Sequence, residues 1–214
     1  MVGDEEVEAL LAGAGEHLAR LEETYGHSLE AKEVTHRLKS RIRGVLEGQR
    51  SALDRLAVLL TERFGDPKAA SRATYPLADG PDALDAAIDA SMPGVRKARP
   101  DVTAEIGRWQ PHNRPSLAAL RLLTEGRHRP RLTPQVRKEH VSPGGTMMVD
   151  PQVGQWSPGF QGPTIYPVPG GQAEHETYVD WRFAELDAPV LATLRELQEH
   201  VAAAVRAVLA AASR

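Results

Sequence analysis

The sequence predicts a mainly α protein: a helical bundle built around one long helix, with a small antiparallel β insertion before the C-terminal helix. Three observations predict it. Apolar residues recur every three or four positions from Ser28 to Phe64, at Val34, Leu38, Ile42, Val45, Leu46, Ala52, Leu53, Leu56, Leu60 and Phe64. Such a stripe is one face of a helix, here about 50 Å long at ~1.5 Å per residue. The same spacing returns near the C-terminus at Val190, Leu191, Leu194, Leu197, Val201, Val205 and Val208. Between these stripes, Pro130 to Gly171 is dense in Pro and Gly, and an alternating stretch follows it. The 214 residues therefore read as one domain, with a helical bundle over 4–130 and 187–213 and a Pro/Gly-rich β insertion at about 131–186.

Taken in order, Asp4 is placed to cap a first helix, with Val7, Leu10, Leu11, Ala14, Leu18 and Leu21 as its stripe. Gly26 reads as the residue that ends it and Ser28 as the cap of the next. So short a connection makes an antiparallel hairpin. Gly44 and Gly48, four apart on the long helix, mark either a close approach by another backbone or a soft spot. Gly65-Asp66-Pro67 ends that helix. Pro81 opens a short helix with Leu84, Ala87 and Ile88 inward, and Pro93-Gly94 stops it. Another runs from Pro100 to near Trp109, followed by a turn at Gln110 to Asn113. The next, from Pro115, buries Leu117, Leu120 and Leu123.

Arg137–Val141 and Thr146–Asp150 flank Ser142-Pro143-Gly144-Gly145 and are expected to pair as a hairpin. Glu174 to Phe183 reads as a half-buried strand. Thr177, Val179, Trp181 and Phe183 would share one face. Asp187 is the expected cap of the last helix, with Pro189 in its first turn.

Composition narrows the function. The chain has no Cys, which removes disulfides, zinc-thiolate sites and thiol catalysis. The acidic start, MVGDEEVEALL, lacks the positive charge of a secretory signal, and no apolar run would span a bilayer. A cytoplasmic location and no membrane partner are the expectations. Eight histidines are scattered without the i, i+4 spacing of a zinc hydrolase. In Glu174-His175-Glu176 a strand would turn the imidazole away from both carboxylates. No metal and no cofactor are expected.

The net charge of -3 conceals an asymmetry. From Val95 to His140 there are 11 Lys and Arg against 4 Asp and Glu. One reading pairs this segment with acidic helices of the same chain; the other makes it an anion-binding face for phosphate or nucleic acid. Arg127, Arg129, Arg131, Arg137 and Lys138 are its densest part and the candidate nucleic-acid contacts. Arg121 and His128 lie seven residues apart, so on a continuous helix they point the same way within ~20°. An arginine and a histidine on one face have the chemistry to cleave a phosphodiester. The arginine stabilises the pentacoordinate charge and the histidine moves the proton. Alternatively, they are cations gathered at a helix C-terminus by its dipole.

Four pieces occur in a fixed order: RSALDRLA (Arg50 to Ala57), TYPL (Thr74 to Leu77), WQPH (Trp109 to His112) and LAALRLLTEGRHR (Leu117 to Arg129). This order resembles a group of uncharacterised bacterial helical proteins with an R-S-A-L-D-x-L-A helix, a Phe-Pro loop, a Gln-Pro turn and a Leu-rich helix ending in Asn-x-x-Asp-Lys-His-Arg. Here Thr124 stands for the Asn, Arg127 for the Lys and Tyr75 for the Phe. That group is in turn similar to the HEPN superfamily of helical bundles. Many of those are dimers, and the active ones are metal-independent ribonucleases with an Arg followed some residues on by a His. The resemblance implies Arg121 and His128 as the catalytic pair. It also implies RNA or another polyanion as partner, and a homodimer, which a long helix outrunning its hairpin mate would also favour. The competing expectation is a non-catalytic helical interaction or assembly protein, a phage structural component included.

Overall fold

The computed structural model describes residues 3–124, 130–141, 147–149 and 173–214. Helices α1 (Asp4–Glu30) and α2 (His36–Phe64) form the antiparallel hairpin around which the rest packs. At one end Asp4 pairs with Arg63 at 2.7 Å and Glu6 with Arg55, which fixes the antiparallel sense. Helix α7 (Val190–Ala212) lies against both. Leu38, Ile42, Leu53, Leu56, Leu194, Leu197 and Val201 share the buried core, as their spacing predicts. A part-buried amide ladder crosses the three helices. Gln49 Nε2 donates to Gln198 Oε1 at 3.2 Å, and Gln198 Nε2 donates to the Leu11 carbonyl at 3.1 Å. At Gly48 α1 approaches closely, since a Cβ there would lie 3.0 Å from that of Ala14.

The long helix does not begin at Ser28. Helix α1 runs through Gly26 and Ser28, and Lys32 ends it in the left-handed conformation, at φ 52°. Lys32 N–H donates to the Leu29 carbonyl and Glu33 N–H to that of Ser28, the paired bonds of a Schellman cap. Glycine is the usual residue there, so Gly26 is the natural but incorrect choice from sequence. Lys32 is held in place from across the fold: Nζ donates to the Glu176 carbonyl at 2.8 Å and sits 5.5 Å from the Tyr178 ring centroid. Thr35, not Ser28, caps α2, its side chain accepting from Leu38 N–H at 3.1 Å. The hairpin mates are 27 and 29 residues long, so α2 has no overhang, and the argument for the expected homodimer loses its premise.

Short helices α3 (Pro81–Ser91), α4 (Val95–Ala98), α5 (Pro100–Arg108) and α6 (Pro115–Thr124) close one side of the bundle. Three of them open on the prolines that predict them. Their stops at Met92–Gly94 and Trp109 follow the expected turns. Arg99 locks this side to α7: its guanidinium donates to the Ala211 and Ala212 carbonyls and lies over the Phe64 ring.

The insertion is an antiparallel sheet of order β2-β1-β3-β4, from β1 (Leu132–Val141), β2 (Met147–Val149), β3 (Ala173–Phe183) and the two-residue β4 (Ala188–Pro189). Glu139 pairs with Val149 and Val141 with Met147, so the expected hairpin is present. The alternation of β3 is interrupted. Gln135 pairs with Asp180 but Val136 with Tyr178, leaving Val179 as an extra residue. This bulge reverses the faces on its two sides. Trp181 and Phe183 are buried, Val179 is exposed, and Tyr178 packs edge-on against Trp181 at 5.6 Å. Tyr25 and Ser28 of α1 seat the sheet: Tyr25 Oη donates to Asp180 Oδ1 at 2.5 Å, and Trp181 Nε1 donates to Ser28 Oγ at 2.8 Å. Asp187 does not cap α7. Ala188 and Pro189 pair with Phe183 and Arg182, which delays the helix to Val190, and the Asp187 carboxylate accepts from Arg182 Nε at 2.8 Å. No helix among the described residues is long and apolar enough to cross a membrane.

Candidate functional site

The four sequence pieces that occur in order meet in space around the loop Ala73–Asp79. The middle of that loop is buried: Tyr75 is 1% exposed, and Pro76, Leu77 and Ala78 are buried with it. Buried backbone polar groups need partners, and a loop has no ladder to supply them. Side chains do so here. Asp54 Oδ1 accepts from Tyr75 N–H at 2.9 Å, and Arg50 Nη2 donates to the Tyr75 carbonyl at 3.2 Å. Arg50 Nε also donates to Asp54 Oδ2 at 3.1 Å, so the pair grips both polar groups of one residue. Gln110 Oε1 accepts from Ala78 N–H at 2.9 Å. Arg121 Nη1 donates to the Leu77 carbonyl at 3.1 Å while Nη2 holds Asp79. The Arg121 guanidinium holds the Asp79 carboxyl below its ordinary range. The Arg-Asp of RSALD, the Tyr-Pro-Leu, the Gln-Pro and the Arg of α6 thus form one clasp.

A cleft of about 740 Å³ opens beside this clasp, between α2, the end of α6 and the start of β1. His36, Lys39, Arg43, Glu47 and Arg50 form one ridge along α2, and each lines it. Ser40, Ser51 and Thr124 add hydroxyls, and Leu46, Leu123 and Leu132 make an apolar floor. The first turn of α2 carries no acidic residue but has His36, Arg37 and Lys39. Cations at a helix N-terminus oppose its dipole, at about 0.3–1 kcal/mol each. These three side chains are exposed, and among the described residues none has an ion-pair partner. Arg41, by contrast, is tied to α1 through the Arg20 carbonyl and Thr24.

The expected site residues are placed differently from one another. Arg121 is half-buried in the clasp. His128, Arg127 and Arg129 lie outside the described residues, so the expected catalytic pair is not brought together among those described. Arg131 is exposed and reaches Glu185 at 3.4 Å, Lys138 pairs with Glu176 across the sheet at 3.0 Å, and Arg137 lies half-buried on the same strand. Elsewhere in the basic segment, Arg96 holds Asp85 and Asp89, and Arg108 holds Glu105. Arg99 hydrogen-bonds Asp101 and holds that carboxyl down at about 2. Much of the segment's charge is therefore spent within the chain. Sequence reasoning missed both the clasp and the α2 ridge. The 36, 39, 43, 47, 50 spacing is readable as a helical face, but the cation block downstream is denser and masks it in any count of charge.

One further polar contact stands apart. Ser116 Oγ and His200 Nδ1 lie 2.5 Å apart, with Glu196 3.8 Å from the same nitrogen. Both partners meet one ring nitrogen, so the three are not a relay; they join α6 to α7. No family model, curated protein or solved structure matches this chain.

Proposed function

We propose that the protein is a HEPN-like helical module that binds RNA, as a phosphate polyanion, along the α2 ridge and its cleft. One observation carries this reading. The exposed cations of the first α2 turn are without ion-pair partners among the described residues and stand against the helix dipole, and two of them, His36 and Lys39, line a cleft with further cations and hydroxyls. A polyanion laid there gains from the dipole, the cations and the N-cap geometry together. The segment carrying Arg127 and Arg129 follows Thr124, which walls the cleft, and these arginines are assigned to the same ligand. The reading stops at binding, because Arg121 serves the clasp.

The test is anisotropy of a labelled single-stranded RNA with increasing salt. Replacing His36, Arg37 and Lys39 by Glu should weaken binding at least tenfold. It should also flatten the log–log salt slope by about 0.7 for each phosphate that is no longer neutralised. The double charge reversal at Arg127 and Arg129 should act in the same direction. Wild-type protein that binds no RNA at low salt would overturn the reading and leave the assembly role.

A further inference from the structure

The polyanion reading leaves one cleft residue unexplained. Glu47 is the only carboxylate among the described residues that line the cleft, on the same ridge of α2 as His36, Lys39, Arg43 and Arg50. We propose that Glu47 is an internal competitor for the cleft's anion: it occupies Arg43 until a polyphosphate displaces it, and so sets which anions bind. The inference rests on the polyanion reading of the cleft.

The Arg43–Glu47 contact has the properties of an exchangeable pair. Arg43 Nε donates to Glu47 Oε1 at 2.6 Å, yet both side chains are 58% exposed. Exposed pairs of this kind are weakly held. Their order is also the less favourable one on a helix, with the cation N-terminal to the anion by four residues. The pair thus contributes little to the helix, unlike the neighbouring Arg50–Asp54 pair, which is more buried and also binds the Tyr75 backbone. Glu47 is the only acid in the ridge that lines the cleft without such a second task. A lone carboxylate ligand arriving at Arg43 would exchange one carboxylate for another and gain nothing. A phosphodiester chain brings adjacent charges to Lys39 and His36 at the same time, so it can drive Glu47 away. The cleft then selects multivalent phosphate over isolated anions.

The experiment measures binding of a labelled oligouridylate to wild type, Glu47→Gln, Arg43→Gln and the double variant. Glu16→Gln, which removes one charge from another exposed i, i+4 pair on α1, is the control. Removing a like charge ~4 Å from a phosphate in a watery cleft should tighten binding about fivefold. Freed Arg43 should also steepen the log–log salt slope by about 0.7. The gain should shrink in the Arg43→Gln background, and Glu16→Gln should leave affinity unchanged. If wild type binds but Glu47→Gln binds no tighter, or Glu16→Gln tightens equally, the competitor role falls and the polyanion reading stands. If Glu47→Gln binds and wild type does not, no polyphosphate displaces Glu47 in the natural protein and both readings fall. If neither binds, both fall.

Discussion

Arg50, Asp54 and Arg121 on one side, and His36, Arg37 and Lys39 on the other, are charged residues of helices that share a single cleft. The first group is turned inward: each of its members holds a backbone group of the buried Tyr75–Leu77 loop. The second is turned outward and lacks ion-pair partners among the described residues. A charge count cannot separate the two. What separates them is whether a buried donor or acceptor depends on the residue. The clasp residues satisfy buried polar groups, whereas His36, Arg37 and Lys39 stand against the α2 dipole, a cost that a bound anion would offset.

The comparison is most exposed to failure at Asp54. Its replacement by Ala leaves the buried Tyr75 N–H without its acceptor and Arg50 without its counter-charge. Together these should cost about 2–4 kcal/mol, read as a lowered urea midpoint with unchanged slope. Arg121→Ala strands the buried Leu77 carbonyl and releases the exposed Asp79, and should cost about 1–3 kcal/mol. Neither change should remove the salt-dependent part of RNA binding in protein that remains folded. If Arg121→Ala instead leaves stability intact and abolishes an RNA cleavage activity, the clasp assignment is wrong.

The ridge should respond in the opposite sense. Replacing His36, Arg37 and Lys39 by Glu puts anions where the α2 dipole favours them. Stability should rise by about 0.3–1 kcal/mol per position, seen as a higher melting temperature, while the proposed RNA binding weakens at least tenfold. A ridge serving folding would show the reverse.

How much of this was legible depends on what each feature needs. Core stripes need only periodicity, and Leu53, Leu56, Leu194 and Val201 are buried where spacing put them. The antiparallel pairing of β1 with β2 was legible in the Ser-Pro-Gly-Gly sequence that separates them. Features that depend on a distant partner were hidden. Lys32 adopts a glycine-like conformation while Glu176 and Tyr178, far along the chain, hold its side chain. Val179 is displaced by a bulge that exists only in the pairing with β1. Asp187 is taken from its helix by two residues of β4. The clasp was half visible: its members appeared as an ordered set of motifs, but their shared purpose is a hydrogen-bond network that sequence order cannot display.

Tyr75 gives the smallest and most diagnostic effect. Its backbone is what the clasp holds, yet its hydroxyl is fully buried and has no hydrogen-bond partner among the described residues. An unpartnered buried hydroxyl is a liability, so Tyr75→Phe should raise stability by about 1 kcal/mol at neutral pH. Tyr25 is the contrast, because its hydroxyl holds Asp180 and the Trp181 backbone, and Tyr25→Phe should lower stability by a similar amount. Both phenols are pushed well above their ordinary value. For Tyr75 burial is the main cause, followed by the charge of Glu105; for Tyr25 it is burial, then the hydrogen bond to Asp180. In the unfolded chain a tyrosine loses its proton near pH ~10. The folded chain retains it, so above that pH the unfolded state binds fewer protons and stability falls as pH rises. Urea titrations from neutral pH to beyond 10 should show that decline in wild type. It should be shallower in each Phe variant, with the Tyr75→Phe curve above wild type throughout. A Tyr75→Phe curve below wild type at neutral pH would mean that the hydroxyl has a buried partner, and that the clasp extends to the ring as well as the backbone.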